Sequence, residues 1–563
     1  MRKAVFLAVP LAFVAVSLAQ ITHRTSQSQS VSAHLPPAAI GALQKIDPEH
    51  IRANVRFLSH DLLEGRGTGQ RGGDIAAEYI ATQFWLDGLK PAGDNGTFFQ
   101  NVPMAGITPA PETTFELAPR HGEAMQLKPL DEYVAYDQTE HTTDDIDSEI
   151  VYVGYGIEAP EYQWDDYKGV DVRGKVLLML VNEPSSDDPK FFKGPALTYY
   201  GRWTYKYEEA ARKGAVGAIL IHKSDMASYP WEVVRNSNSG EKEFPKSDAP
   251  QLKAACWIQL EVARQLAQKS GMVLDKMMVE AQSRNFRPVP LPAKLKAHMV
   301  SKIRQISSRN VLAMLPGSDS KLKNEAVVYS AHYDHLGIRP DMPGDNIYNG
   351  ARDNATGCGI LLELARVFAE AQSKPHRSVI FASVTAEEQG LLGSEYLGKH
   401  PPIPAAKIAL DLNFDDVPPL GEPEEVEVSG AERTTFYPTV EAMAKEFRLA
   451  IRPDSHPEAG HYYRSDHFSM ARVGVPAFSI NEGMKYKGHN SQWGTEQAEE
   501  FTNKRYHQPS DEYNPSMDFR GDATMARFGF ALGWAAASQP KVQGWQKGDE
   551  FEKARLQSED AAH

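Results

Sequence analysis

The sequence predicts an α/β fold: a mostly parallel, mixed sheet sandwiched by helices, with a smaller β-rich unit inserted into it. Three observations predict this. After Asn310, short apolar runs (VLAML, AVVYSAHYD, SVIFASVTA, KIALDLNFD, VPAFSIN) alternate with amphipathic stretches. Apolar strands separated by helices indicate a parallel sheet covered on both faces. Between 145 and 285 the pattern changes to short strands bounded by Gly, Pro or Asn. Finally, 563 residues are too many for one ordinary domain, while 41% hydrophobic and 24% charged residues are a globular composition.

The elements follow in order. The opening MRKAVFLAVPLAFVAVSLAQ has a basic start, an apolar run and small residues before Gln20. It reads as a signal peptide, 1–19, cut after Ala19. Residues 20–45, rich in Ser, Gln and Thr, read as a mobile leader. The first part of the main domain spans 46–144. It contains a helical IRANVRFLSHDLL (51–63), a loop EGRGTGQRGG, and a helix capped by Asp74. The insert, 145–285, has strands in EIVYVGYGIEAP, GKVLLMLVNEP and GAVGAILIHKS, and a helix in YKYEEAARKGA. PVPLPAKLKA leads out of it. The second part of the main domain spans 293–540, with helices near 357–372, from Leu391, near 438–448, and over 521–538. Residues 541–563 read as a polar, frayed tail.

Several function classes are excluded. A net charge of −14 argues against nucleic acid and anionic lipid as partners. No later stretch is apolar enough to cross a bilayer, so no stable membrane insertion is expected after signal cleavage. The protein is expected to be exported, periplasmic or extracellular. The two cysteines, Cys256 and Cys358, are expected to be buried free thiols in different units.

In sheets of this class, ligands gather beyond the carboxyl ends of the strands. There stand His332, Asp334 and His335 in SAHYDHLG, and Asp353 in YNGARDNATGCG. Glu387 and Glu388 follow SVIFASVTA. Asp411, Asp415 and Asp416 end IALDLNFDD, and His507 lies in KRYHQPSDEY. Carboxylates and histidines converging on one rim require cations among them. Histidine and carboxylate without cysteine suit zinc, and also manganese or cobalt. Five ligands are too many for one open catalytic zinc and right for two ions sharing a carboxylate. His332 and Asp334 are two apart and share a strand face, so Asp334 is placed to receive the second imidazole N–H of His332. His335 points the other way.

Each feature alone has a plainer reading. Glu387-Glu388 would be an acidic turn before a helix, and His507 a surface histidine. Ser465, Asp466 and His467 are contiguous and cannot face one another as a triad; they read as support near the substrate pocket. GTGQRG (67–72) lacks the preceding strand that a dinucleotide loop needs. Ser318 to Lys321 fits S-x-x-K without its companion motifs. No HExxH or G-x-S-x-G occurs.

Taken together and in order, SAHYDHLG, NGARDNATGCG, TAEEQGLLGS, LNFDD and YHQPSDEY resemble the M28 family of metallopeptidases, the co-catalytic zinc aminopeptidase group. The likeness covers about 46–140 and 293–538. The 145–285 unit resembles a protease-associated (PA) domain. The resemblance implies a zinc exopeptidase-like sheet and two divalent metal ions, zinc foremost. Asp353 would bridge them; His332 and Asp415 would complete one site, Glu388 and His507 the other. Glu387 would be the general base, and Asp334 would orient His332. Asp415 is preferred to Asp411 because it stands in the family's Asn-x-Asp pattern. The implied activity is removal of N-terminal residues from a peptide substrate. The alternative is a carboxypeptidase or amide-bond deacylase, with Arg352, Arg464 or Arg505 clamping a carboxylate. A non-catalytic binding protein would have lost ligands, and none is lost here. The PA-like unit is expected to wall the cleft or gate long substrates. Residue preference and oligomeric state stay open at this level.

Overall fold

The computed structural model describes residues 35–246, 249–339, 342–454 and 456–562. The expected signal peptide and the leader up to residue 34 lie outside the described residues. The chain opens with helices α1 (Pro37–Leu43), α2 (Pro48–Leu58) and α3 (Arg71–Leu86). Strand β1 (Phe99–Pro109) precedes β2 (Thr114–Pro119), β3 (Tyr133–Tyr136), β4 (Thr143–Tyr152) and β5 (Val176–Leu180). Next come α4 (Trp203–Arg212), β6 (Gly217–His222), α5 (Trp231–Ser237), β7 (Lys242–Pro245), β8 (Ala254–Gln259) and α6 (Leu260–Lys269). A single 27-residue strand, β9 (Val289–Leu315), returns the chain to the main sheet. It is followed by β10 (Ala326–His332), α7 (Gly357–Glu370), β11 (Ser378–Val384), α8 (Leu392–Lys399) and β12 (Ile408–Asn413). The chain ends with α9 (Tyr437–Phe447), α10 (His467–Arg472), β13 (Ala477–Ser479), α11 (Trp493–Lys504), α12 (Arg520–Ser538) and α13 (Glu552–Ala561).

The main sheet runs β13-β12-β10-β11-β9. The first four strands are parallel, and β9 is antiparallel to β11. Both faces are buried, so each strand supplies two cores. Val327, Tyr329 and Ala331 of β10 join the core under α2, α7 and α12. Ala326 and Val328 join the core under α8 and α10. Tyr329 donates to the carbonyl of Gly529 at 2.8 Å. It fits because residue 533 is glycine: a Cβ there would sit 1.8 Å from the tyrosine hydroxyl.

Strand β9 belongs to two sheets. Val311–Leu315 pairs with β11 and Ser301–Val311 with β1. Farther back, Ala293–His298 pairs with β2, and β4 also lies against β9. From β4 the second sheet continues β4-β5-β6-β8-β3, all parallel except the edge strand β3. The second unit is therefore wider than 145–285. Its core takes in Phe115, Leu117 and Tyr133 on one side and Leu295 and Met299 on the other. TFELAP and YVAY are too short to announce themselves, and the strands that join them to this sheet, β9 and β8, lie more than a hundred residues away. PVPLPAKLKA is the start of β9 and not a linker. Prolines interrupt a ladder, and the pairing shifts register between Pro290 and Lys294.

Three end effects differ from expectation. Residues 37–43 of the supposed mobile leader form α1, burying Ala39, Ala42 and Leu43 in the main core. Helix α3 starts at Arg71, placing Asp74 in its first turn. Gly72 allows this: a Cβ there would lie 1.6 Å from the carbonyl oxygen of Leu63. The tail 541–563 is docked. Trp545 and Phe551 are buried, and Trp545 donates to the carbonyl of Gly474 at 3.0 Å. Arg555, buried on α13, donates to the carbonyls of Ala405, Ala406 and Ile408. One arginine and two aromatics hold a stretch whose composition is otherwise polar. No described helix is long and apolar enough to cross a membrane.

Arg555→Ala removes charge-assisted hydrogen bonds and leaves buried carbonyls unpaired. It should lower the free energy of unfolding by about 3 kcal/mol, read from the urea midpoint.

Candidate metal centre

The carboxyl ends of the parallel strands assemble one cluster. His332 is the last residue of β10, and Glu387 and Glu388 follow β11. Asp415 follows β12, Asp353 lies just before α7, and His507 lies beyond α11. His332 Nε2 is 3.1 Å from Asp415 Oδ1 and 3.4 Å from Asp353 Oδ1. The other oxygen of Asp353, Oδ2, is 3.3 Å from His507 Nε2. That nitrogen is 3.0 Å from Glu388 Oε2. One carboxylate thus faces two separate imidazoles. Glu387 Oε2 stands off at 4.0 Å from His332 Nε2.

His335 is also present, contrary to the reading that it points away. Its Nδ1 meets Glu388 Oε1 at 2.5 Å. The strand ends at His332, so alternation does not govern residue 335. The ligand atoms of His332, Asp353 and Asp415 lie within 4.8 Å of one another, as do those of His335, Asp353 and Glu388. Of the three aspartates at the end of β12, Asp415 is the one beside His332. Asp411 stays within the strand and accepts from Ser330 at 2.9 Å. Asp416 pairs with Arg352 at 2.7 Å.

Asp334 does something other than expected. The Nδ1 of His332 faces the backbone carbonyl of Asp334 at 3.2 Å, with the carboxylate farther off at 3.8 Å. That carboxylate accepts instead from the backbone N–H groups of Glu387 and Glu388 at 3.1 and 3.4 Å, and from the Thr68 hydroxyl at 3.2 Å. It holds the turn that carries both glutamates. Sequence reasoning missed several other supports. Arg66, fully buried, donates to the carbonyls of Leu58, Tyr333, Asn349 and Gly350. It ties both loops that carry the cluster. Asp511 accepts from the N–H of Asp353 at 3.0 Å. Ser465, by contrast, is read from the sequence as support near the pocket; it donates to Asp415 Oδ2. Arg66 and Thr68 lie in the glycine-rich loop EGRGTGQRGG (64–73), and local sequence carries no sign of their distant partners.

The charges are strongly coupled. Burial opposes the charge on His332, but Asp415 and Glu387 hold its pKa well above the usual histidine value. Burial likewise opposes His507, yet Glu388 and Asp353 push it up to about 10. Glu388 is held down to about 2 by His507 and His335 against the cost of burial. Glu387 goes the other way. Burial first, then Glu388 and Asp415, raise its carboxyl well above the glutamate range despite the pull of His332. Without a cation, the cluster is balanced only by protonating its imidazoles. A divalent cation held by these imidazoles and carboxylates would supply that charge in place of those protons. The donor set of imidazole nitrogen and carboxylate oxygen fits such ions.

A cavity opens beside the cluster. Glu387, Glu388 and His507 line it together with Arg202, Trp203 and Tyr229 of the inserted unit. Of the three arginines considered as carboxylate clamps, Arg464 lines this cavity. Arg352 is committed to Asp416, and Arg505 lies 3.4 Å from Glu500. Both cysteines are buried and free, Cys256 in β8 and Cys358 in α7.

Parts of this chain are similar to known proteins. Residues 310–527 match the model of peptidase family M28. A probable zinc metalloprotease of Pyrenophora teres f. teres (strain 0-1) is 33% identical over 148 residues, 25% of this chain and 26% of the relative. Leupeptin-inactivating enzyme 1 of Streptomyces exfoliatus is 27% identical over 241 residues, 42% of this chain and 50% of that one. The matched stretches span a quarter to a half of the length of these curated relatives. The solved aminopeptidase from Aneurinibacillus sp. strain AM-1 superposes with a TM-score of 0.52 at 19% identity, covering 90% of this chain and 98% of that one. This last likeness speaks for the fold. The family match spans the cluster from His332 to His507, so the part of the chain that carries the cluster is similar to peptidase family M28.

Proposed function

We propose that this protein is a metallo-aminopeptidase that removes N-terminal residues from peptides, with two divalent ions, zinc foremost, held by its cluster. The observation that carries this reading is Asp353, whose two oxygens face His332 and His507 separately. His332 and Asp415 would hold one ion, Glu388 and His507 the other. Bound there, the ions would acidify a water and polarise the scissile carbonyl. Glu387 would do the proton work. Its backbone is fixed by Asp334 while its carboxylate faces the cavity. It can take a proton from the attacking water and pass it to the leaving amine. Substrate selection would fall to the cavity walls, which the inserted, PA-like unit supplies in part. We also propose export, from the signal-like start; N-terminal sequencing of secreted protein should read from Gln20.

A second reading has one observation in its favour. Arg464 at the cavity wall could receive a substrate carboxylate, as a carboxypeptidase requires. A panel of free, N-blocked and C-blocked peptides separates the two. Cleavage of C-blocked peptides with a free amine supports the aminopeptidase. Cleavage that needs a free carboxylate and tolerates N-blocking supports the alternative.

Glu387→Gln should keep the metal content of the wild type and lose about 10²–10⁴-fold in kcat. Metal analysis alongside initial rates checks both halves, and full turnover by the variant would remove Glu387 from the chemistry.

Metal-depleted protein should also show a distinctive pH profile. The folded pKa of His507 is raised, so its stabilisation is complete below the unfolded value of about 6.5. It is lost as pH rises toward about 10. The folded pKa of Glu388 is depressed, so its stabilisation is present above its unfolded value of about 4.3 and lost as pH falls toward about 2. Melting temperature in chelator should therefore peak between these limits and decline on the alkaline side. Saturating zinc should flatten the alkaline decline. An alkaline slope indifferent to zinc would speak against metal binding at His507.

A further inference from the structure

The inserted unit does more than wall the cavity. At the end of α5, Ser237 Oγ lies 2.8 Å from His507 Nδ1. The preceding residue, Asn236, donates through Nδ2 to the carbonyl of His507 at 2.9 Å. Lys242 of β7 donates through Nζ to the carbonyl of Glu388 at 3.2 Å. Three contacts from this stretch therefore fall on the two residues that face the Oδ2 side of Asp353. Among the described residues, no hydrogen bond from the inserted unit falls on His332 or Asp415. His332 is oriented by the carbonyl of Asp334, and Asp415 by Ser465, both from the main domain.

We propose that the inserted unit completes the second metal site, with Ser237 as the residue that positions His507. This rests on the reading of His507 as a metal ligand. The Nε2 of His507 faces two carboxylates, so in the metal-binding tautomer Nε2 carries a lone pair and Nδ1 carries the proton. That proton needs an acceptor, and Ser237 Oγ is in place to receive it. A metal-bound imidazole is generally held this way by its second nitrogen. The backbone needs holding as well. His507 sits at φ 56°, in the left-handed region that a residue with a side chain adopts at a cost. The bond from Asn236 to its carbonyl, and the ring of Tyr506 at 4.0 Å from its own, secure that conformation. Two consecutive residues of the insert thus fix both the side chain and the main chain of one ligand. The two metal sites are then unequal in origin. One is built by the main sheet alone, and the other closes only when the insert is seated.

The test is a zinc titration of full-length, metal-depleted protein, repeated with cobalt and read by visible absorption. Wild type should take up about two ions per chain. In Ser237→Ala, one site should keep its wild-type affinity and the other should weaken by about 10–100-fold. The cobalt spectrum of only the weakened site should change. Ser237→Thr keeps the hydroxyl and should restore both. His507→Ala sets the benchmark by losing one ion altogether. Circular dichroism of the metal-depleted variants confirms that they fold. Unchanged affinity at both sites in Ser237→Ala overturns the proposal, as does equal weakening at both. If His507→Ala still binds two ions, the assignment of His507 fails, and the role of Ser237 fails with it. If His507→Ala loses one ion while Ser237→Ala loses none, the metal reading stands and the positioning role alone is refuted.

Discussion

Everything at the rim follows from one constraint: like charges cannot be buried together without something between them. Asp353, Glu387, Glu388 and Asp415 are drawn to one spot by the ends of parallel strands. The main sheet supplies the convergence, and the helices on both faces exclude the water that would screen it. Imidazoles at His332, His335 and His507 are the only basic side chains interleaved with these carboxylates among the described residues. The second shell then answers to the same need. Backbone N–H groups, hydroxyls and one buried guanidinium are arranged so that no carboxylate has to turn inward to be satisfied. Asp334 shows the logic. Its carboxylate is spent on the turn that carries the two glutamates, which keeps their side chains free to face outward.

Much of the main domain was legible because its signals are local. Uninterrupted apolar runs such as AVVYSAH and SVIFASV can be buried on both faces only as central strands, and the structure uses them so. Helices α7, α9 and α12 lie where amphipathic spacing puts them. The cluster was legible for a related reason: strand ends are easy to locate, and a parallel sheet gathers its strand ends. What could not be read is whatever depends on partners far apart in sequence. Arg66 lies 267 residues from Tyr333, whose carbonyl it holds. Ser237 lies 270 residues from His507. Neither residue type is informative until the fold brings its partner near. The reading of Asp334 failed more narrowly. The spacing was right and the side chain lies close, but the backbone carbonyl of the same residue reaches the imidazole first.

The ends of the chain teach a related lesson about composition. The average composition of residues 20–45 and 541–563 predicts loose ends, yet 37–43 and 552–561 within them form docked helices. Each is anchored by a few residues that an average hides: three small apolar side chains in α1, and Arg555 with two aromatics near α13. A composition argument weighs every residue equally, whereas docking needs only a handful.

Strand β9 is a mechanical link between the two units. An insert joined to its host by two loose linkers can swing like a door. An insert whose sheet grows from the same strand as the host's sheet is built into both walls, as a beam is. Such a beam resists bending in its own plane and yields mainly by twisting. With that strand shared, the opening between the two units would act as a gauge of set width more than as a jaw. A gauge sorts by thickness. On the proposed reading it would pass a loose, extended chain end and turn away a folded segment whatever its sequence.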